Sequence, residues 1–200
     1  MTFPDPSLAP EAQQPPYSPP SLARVSTLIY GGMTVAGLLL MRFWQNNLTP
    51  AFSFPKDGSE RLRLAGAGLL AAGVLLTSSA ALESWNDSFR SLKNMFMKLI
   101  GPAPAWVALW LAFLSSFGEE IFFRGAIQPT FGIVPTSIIF GLAHIGPDGK
   151  VGPWSLWAVG AGLVLGWTFD QTGSLWPAIT GHFLVNGVSL LSLQRQYRQR

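Results

Sequence analysis

The sequence predicts an all-α membrane protein, a polytopic bundle of about six transmembrane helices with an amphipathic helix at its surface. Three observations carry that reading. Of the 200 residues, 48% are hydrophobic and 12% are charged, roughly half the charged share of an ordinary soluble domain. Mean hydropathy is +0.32. Several apolar runs approach or reach the roughly 20 residues that a helix needs to cross a bilayer. The net charge of +3 comes without a basic stripe interleaved with aromatics. It suits loops beside anionic lipid and argues against a nucleic-acid partner. The chain has no cysteine, which excludes disulfides, thiolate metal sites and cysteine nucleophiles. It has two histidines, His144 and His182, so any histidine chemistry falls to them.

Taken in order, residues 1–21 form an expected disordered tail. They include Pro4, Pro6, Pro10, Pro15, Pro16, Pro19 and Pro20 and few large apolar groups, too little to bury for a packed structure. No basic start runs directly into an apolar core, so the tail does not read as a secretory signal. Residues 22–200 read as one domain. Its first span is about Val25 to Phe43. A polar loop with Lys56, Arg61 and Arg63 follows. The second span, about Leu64 to Leu82, carries Gly68 and Ala72 one turn apart, a spacing that lets helices approach closely in lipid. Residues 83–101 alternate Trp85, Phe89, Leu92, Phe96 and Leu99 with Arg90, Lys93 and Lys98, which predicts an amphipathic helix on the membrane surface. A solvated loop is the plainer alternative for this stretch.

The third span, about Ala105 to Gln128, is expected to close at Pro129, because proline cannot continue a helix interior. The fourth, about Ile133 to Ile145, ends in the turn signal Gly146-Pro147-Asp148-Gly149. The fifth, about Trp154 to Phe169, offers Gly162 and Gly166 as a close-packing face. The sixth, about Trp176 to Leu193, has Pro177 in its first turn and leads into Arg195, Arg198 and Arg200. Trp44, Trp85, Trp106, Trp154 and Trp176 fall near span ends, where indoles favour the interface.

The third span holds the groups that packing alone does not explain. Glu119, Glu120 and Arg124 lie inside an apolar run, and a charge in hydrocarbon costs at least about 2.5 kcal/mol. Glu120 and Arg124 are spaced i, i+4 and share a helix face. They read as a structural ion pair. Glu119 points about 100° away around the helix and is free for another role. His182 with Asn186, and Phe140 with His144, repeat the i, i+4 spacing. At about 1.5 Å per residue, Glu119, His144 and His182 all fall roughly 9–15 Å below the membrane face where the third span ends. Three separate segments thus converge at one depth. Taken singly, either histidine or Asn186 also suits an interhelical hydrogen bond. Asp170 reads as a loop or capping residue, and Asp148 and Lys150 as solvated turn residues. Ser115 and Ser116 show no serine-nucleophile elbow, and the H-E-x-x-H metalloprotease pattern is absent.

These residues resemble a family, the CAAX-protease and bacteriocin-processing membrane proteases (CPBP or Abi family, glutamic-type intramembrane proteases). Its pattern is E-E-x-x-x-R, then F-x-x-x-H, then H-x-x-x-N. Here it reads as Glu119-Glu120 with Arg124, Phe140 with His144, and His182 with Asn186, within a motif core of 105–193. The resemblance covers about the last hundred residues. It implies an intramembrane endopeptidase whose substrate is a membrane-associated protein or peptide: a prenylated tail, a leader peptide or a sorting tail. In prenyl-protein members, the first glutamate and the F-x-x-x-H histidine activate a water, and the last histidine and the asparagine stabilise the oxyanion. Carried over, Glu119 and His144 hold the water, and His182 and Asn186 bind the oxyanion, with Glu120, Arg124 and Phe140 in support. The resemblance implies no cofactor. Zinc on Glu119, His144 and His182 is the alternative, a legitimate catalytic ligand set. The expected surroundings are membrane lipid and the bacterial inner membrane. A non-catalytic immunity or scaffold protein of the same fold, or a small proton-coupled transporter, would carry similar buried groups.

With six spans both termini share one side. That side would carry Arg24, Arg90, Lys93, Lys98, Lys150, Arg195, Arg198 and Arg200, against Arg42, Lys56, Arg61, Arg63 and Arg124 on the other. The excess favours cytoplasmic termini by the positive-inside rule. The basic first loop argues the other way.

Overall fold

A computed structural model describes residues 18–45, 49–146 and 149–200. Among the described residues it has seven helices longer than one turn and no strand. They are α1 (Pro19–Gln45), α2 (Gly58–Trp85), α3 (Asp87–Ile100), α4 (Ala105–Phe131), α5 (Ile133–Ala143), α6 (Pro153–Thr172) and α7 (Leu175–Arg198), with a single turn at Thr49–Phe52. Three are long and apolar enough to cross a bilayer: Pro20–Trp44, Gly58–Trp85 and Ala105–Phe131. Their outer faces expose Leu28, Phe43, Leu62 and Leu70. Lipid accommodates such a surface and water does not. The chain is therefore an all-α integral membrane bundle.

Helix α2 outruns its expected apolar window, and a polar residue caps its start. At the start of α2, the Asp57 carboxylate accepts from the Glu60 backbone N–H at 3.1 Å, which settles one of the unpaired donors there. Pro19 to Ser21 belong to α1, not to a tail. Most of the expected tail, residues 1–17, and Asp148 lie outside the described residues. Lys150 is exposed.

Helix α7 sits at the centre, packed on α2, α3, α4 and α6. Small residues allow this. A Cβ on Gly68 would stand 2.9 Å from the Pro177 carbonyl oxygen, so α2 lies almost backbone to backbone on α7. The expected close face of α6 holds as well. A Cβ on Gly162 would meet Ser137 Cα at 2.9 Å, and this locks α5 to α6.

Three expectations need correction. Pro129 does not end the third span. Helix α4 runs on to Phe131 and stops at Gly132, whose φ of +82° favours glycine. Proline is tolerated there because Ile121–Ile127 is a π-helical segment. Its wider i→i+5 ladder relieves the clash that a proline makes with the carbonyl four residues back. Second, His144 caps α5 instead of lying within a span. At 11 residues, α5 rises about 16 Å, half the roughly 30 Å hydrocarbon thickness. Third, Asp170 is helical, and its carboxylate accepts from Gln128 Nε2 at 2.7 Å.

Helix α3 is present and amphipathic, but its apolar side faces the bundle. Phe89, Met97 and Ile100 are buried. Phe89 packs on Trp154 and Trp157, and Met97 and Ile100 on Leu193. Trp44, Trp85 and Trp106 are exposed as interface residues should be. Trp154 turns inward against Phe89 and Phe96, and Trp176 donates its indole N–H to the Phe52 carbonyl at 3.2 Å.

Candidate active site

The motif residues begin as a buried charge network on α4. Glu120 and Arg124 are fully buried, and Arg124 Nη1 donates to Glu120 Oε1 at 2.9 Å. Arg124 Nη2 donates to the Gly162 carbonyl of α6 at 3.1 Å. One turn later Gln128 Nε2 donates to the Gly166 carbonyl at 2.9 Å. The two helices run parallel, and the missing side chains of Gly162 and Gly166 open their carbonyls to α4. Phe140 lies under the guanidinium, 4.6 Å from its ring centroid, a cation–π contact. It also meets Phe123 edge-on. Phe140 thus fixes Arg124 from a third helix.

That network reaches the histidines. His182 Nδ1 bonds Glu120 Oε1 at 2.7 Å, and His144 Nδ1 bonds the Phe140 carbonyl at 2.7 Å. A carbonyl only accepts, so His144 Nδ1 carries the hydrogen. Glu120 Oε1 already takes a hydrogen bond from Arg124, so His182 Nδ1–H likewise donates to it. With Nδ1–H engaged, Nε2 is an acceptor in the neutral ring and a donor in the imidazolium. Both Nε2 atoms face Glu119 Oε2, each at 3.9 Å. Glu119 Oε2 is buried and has no hydrogen-bond partner. The convergence expected from depth is therefore real, and it centres on one carboxylate oxygen.

The spacing suits a water. Placed about 2.8 Å from two atoms 3.9 Å apart, a water subtends roughly 90°, within hydrogen-bonding range. A tetrahedral zinc with ligands at about 2.1 Å would hold them roughly 3.4 Å apart. Among the described residues, no three His, Asp or Glu groups are placed to hold a metal ion, and this set does not fit one as it stands.

Asn186, one turn after His182, donates through Nδ2 to Ser115 Oγ at 2.9 Å. Ser115 in turn donates to the Ala112 carbonyl at 3.3 Å. Sequence reasoning assigned Ser115 no role. Its i−4 relation to Glu119, on the same face of α4, was the available signal.

Ser115, Glu119, Phe140, His144, His182 and Asn186 border one cavity of about 490 Å³. It runs from Glu119, His144, His182 and Asn186, past Leu76, Phe96 and Trp157, to Glu83 and Lys93. Glu83 and Lys93 pair with each other at the junction of α2 and α3. That end of the bundle also holds the C-terminus, where Gln194 Nε2 donates to the Ala103 carbonyl and Arg200 to Asn94. The cavity therefore leads away from the face where α4 ends, although the site was placed nearer that face by residue counting.

Residues 101–188 match the family model described as type II CAAX prenyl endopeptidase, Rce1-like. Over these residues the chain is similar to the Rce1-like family. This span takes in α4 to α6, most of α7, and every motif residue from Glu119 to Asn186. The uncharacterized protein YpbD of Bacillus subtilis (strain 168) is 25% identical over 146 residues, covering 70% of this chain and 74% of its own length. No solved structure matches. Helices α1, α2 and α3 lie outside the matched residues yet complete the cavity: Tyr30, Leu75 and Phe96 line it beside Glu119.

Proposed function

We propose that the chain is an intramembrane endopeptidase that hydrolyses a peptide bond in a membrane-associated protein, without a metal. The observation that carries the reading is the single Glu119 oxygen, buried and unpartnered, faced by two imidazole Nε2 atoms at 3.9 Å. Peptide hydrolysis needs a positioned base and donors aimed at the tetrahedral oxygen. Glu119 is the base. It takes a proton from the bound water as the oxygen attacks the scissile carbonyl carbon, and it returns that proton to the leaving amine. His144 Nε2 takes the water's other hydrogen and orients it. Asn186 keeps one Nδ2 hydrogen beyond its bond to Ser115, and this hydrogen faces the developing oxyanion. In this reading His182, held through Nδ1 by Glu120, joins Asn186 at the oxyanion through Nε2.

The cavity suits an extended segment of a few apolar residues, not a folded domain. Its opening beside α3 and the C-terminus would receive a tail from that side, the cytoplasm if the termini lie inside a bacterial inner membrane. The test is cleavage of a farnesylated peptide ending in a Cys-aliphatic-aliphatic-X tail by purified protein in lipid nanodiscs, with and without a chelator. Equal cleavage in both is expected. Loss in chelator with recovery on adding zinc would overturn the metal-free mechanism and make Glu119, His144 and His182 ligands.

A further inference from the structure

The cavity continues past the groups that do the chemistry, and a polar stripe runs along its outer part. Ser189 and Ser192 follow Asn186 at three-residue steps on α7, and Ser79 and Glu83 lie one turn apart on α2. The rest of the wall is largely apolar, with Leu76, Phe96 and Trp157. The stripe ends on Lys93 of α3, which pairs with Glu83. Apart from Glu119 and the histidines, Glu83 and Lys93 are the charged groups among the described residues that line the cavity.

We infer that Lys93 is a specificity-determining residue that binds a carboxylate on the substrate about three residues past the cut bond. This rests on the endopeptidase reading. The lipid-anchored part of a substrate stays in the bilayer, so the fragment freed by cleavage is the part that leaves through the opening and lies along the stripe. The lengths agree. Leu75 of α2 shares a core cluster with Val185, the neighbour of Asn186. Glu83 lies eight residues further along α2, a rise of about 12 Å. Three extended residues cover roughly 10–11 Å.

The chemistry agrees as well. An ammonium has three hydrogens to donate, and Glu83 takes one of them. The Glu83 carboxylate shows that this place accepts such a group, and a second carboxylate can join or displace it. Both side chains are only partly exposed, where a charge-assisted hydrogen bond is stronger than in open water. The corner that carries the pair is fixed. Arg90 Nη1 donates to the Glu83 and Ser84 carbonyls at 2.9 and 3.0 Å, and the Asn86 side chain caps α3 by accepting from the Phe89 N–H at 2.9 Å. Lys93 lies outside the 101–188 family match, so the assignment rests on this chain's own packing. The carboxylate is the chain end or an acidic side chain at the same position.

The test compares three farnesylated peptides in nanodiscs: the free acid, its C-terminal amide, and the amide with Asp as last residue. Wild type should cleave the free acid with a KM about tenfold below that of the amide. Lys93→Gln should erase this difference and Lys93→Arg should keep it. Recovery with the Asp amide assigns Lys93 to any carboxylate at that position, and no recovery assigns it to the chain end. Equal KM values for acid and amide in wild type, or a preference that survives in Lys93→Gln, would overturn the assignment. Binding of the uncut peptides to Glu119→Gln separates this outcome from the endopeptidase reading. If wild type cleaves none of the peptides, yet Glu119→Gln binds the acid over the amide and loses that preference when Lys93→Gln is added, the endopeptidase reading falls and the carboxylate site stands. No preference in binding or cleavage overturns the site.

Discussion

Arg124 is the largest fully buried side chain among the described residues, and its partners explain how a membrane protein keeps it. Glu120 cancels its charge, the Gly162 carbonyl takes a second hydrogen bond, and Phe140 covers its face. Removing one partner of a buried pair typically costs about 3–5 kcal/mol, because the other charge is left uncompensated. Arg124→Ala should therefore lower the melting temperature and the yield of folded protein together with any activity. Arg124→Lys should rescue little, since an ammonium cannot serve Glu120 and Gly162 from one planar fork. Full stability of Arg124→Ala in a thermal melt, with activity lost, would move Arg124 from support into the chemistry. The Glu120–Arg124 pair was legible from spacing alone. The His182–Glu120 bond was not, because it joins α7 to α4 across 62 positions and no local pattern encodes such a contact. The same holds for Ser115, which is ordinary in sequence and gains its bond from Asn186 only through the helix packed against it.

At the level of elements, α5 and α6 hold the network by contact of glycine with backbone. A side chain at Gly162 would strike Ser137 and push away the carbonyl that Arg124 uses. Overpacking of this kind costs about 1–3 kcal/mol. Gly162→Val should lower the melting temperature and slow cleavage. Gly160→Ala, with open space around it, should leave both unchanged. Equal melts for the two variants would show that the α5–α6 contact can yield. The small-residue spacing on α2 and α6 announced these contacts in advance, because close approach in lipid depends on residue size. The π segment Ile121–Ile127 had no such announcement. It shifts the register of α4 so that Gln128 reaches Gly166 and Asp170, a demand set by α6 and invisible along α4. The direction of the apolar side of α3 was hidden for the same reason. Amphipathicity marks a buried face without saying whether lipid or protein covers it.

For the whole molecule, the bundle has two ends with different tasks. One holds Gly132, Gly173 and the turn at Thr49–Phe52. The other holds α3, the C-terminus and the Glu83–Lys93 end of the cavity. That the chain has apolar spans was readable from hydropathy; among the described residues three helices reach spanning length. The direction of the opening was not, since it depends on how α3 folds back over α2 and α7. A chain with no cysteine makes orientation simple to test. In intact cells, Ser59→Cys should react with an impermeant maleimide from outside. Gln199→Cys should react only after the inner face is exposed. The reverse pattern would invert the proposed topology and place the cavity opening outside the cell.

The claim beneath all of this is that Glu119 is the base. The direct measurement is cleavage of the farnesylated peptide by purified Glu119→Gln in nanodiscs, alongside its melting curve. Glutamine keeps the shape of the carboxylate and removes its basicity. A general base contributes about 10²–10⁴-fold. The variant should melt at or above the wild-type temperature, since an amide costs less to bury than a carboxylate, and its cleavage should fall by at least about 10²-fold. A folded Glu119→Gln protein that cleaves at a near wild-type rate would contradict the account.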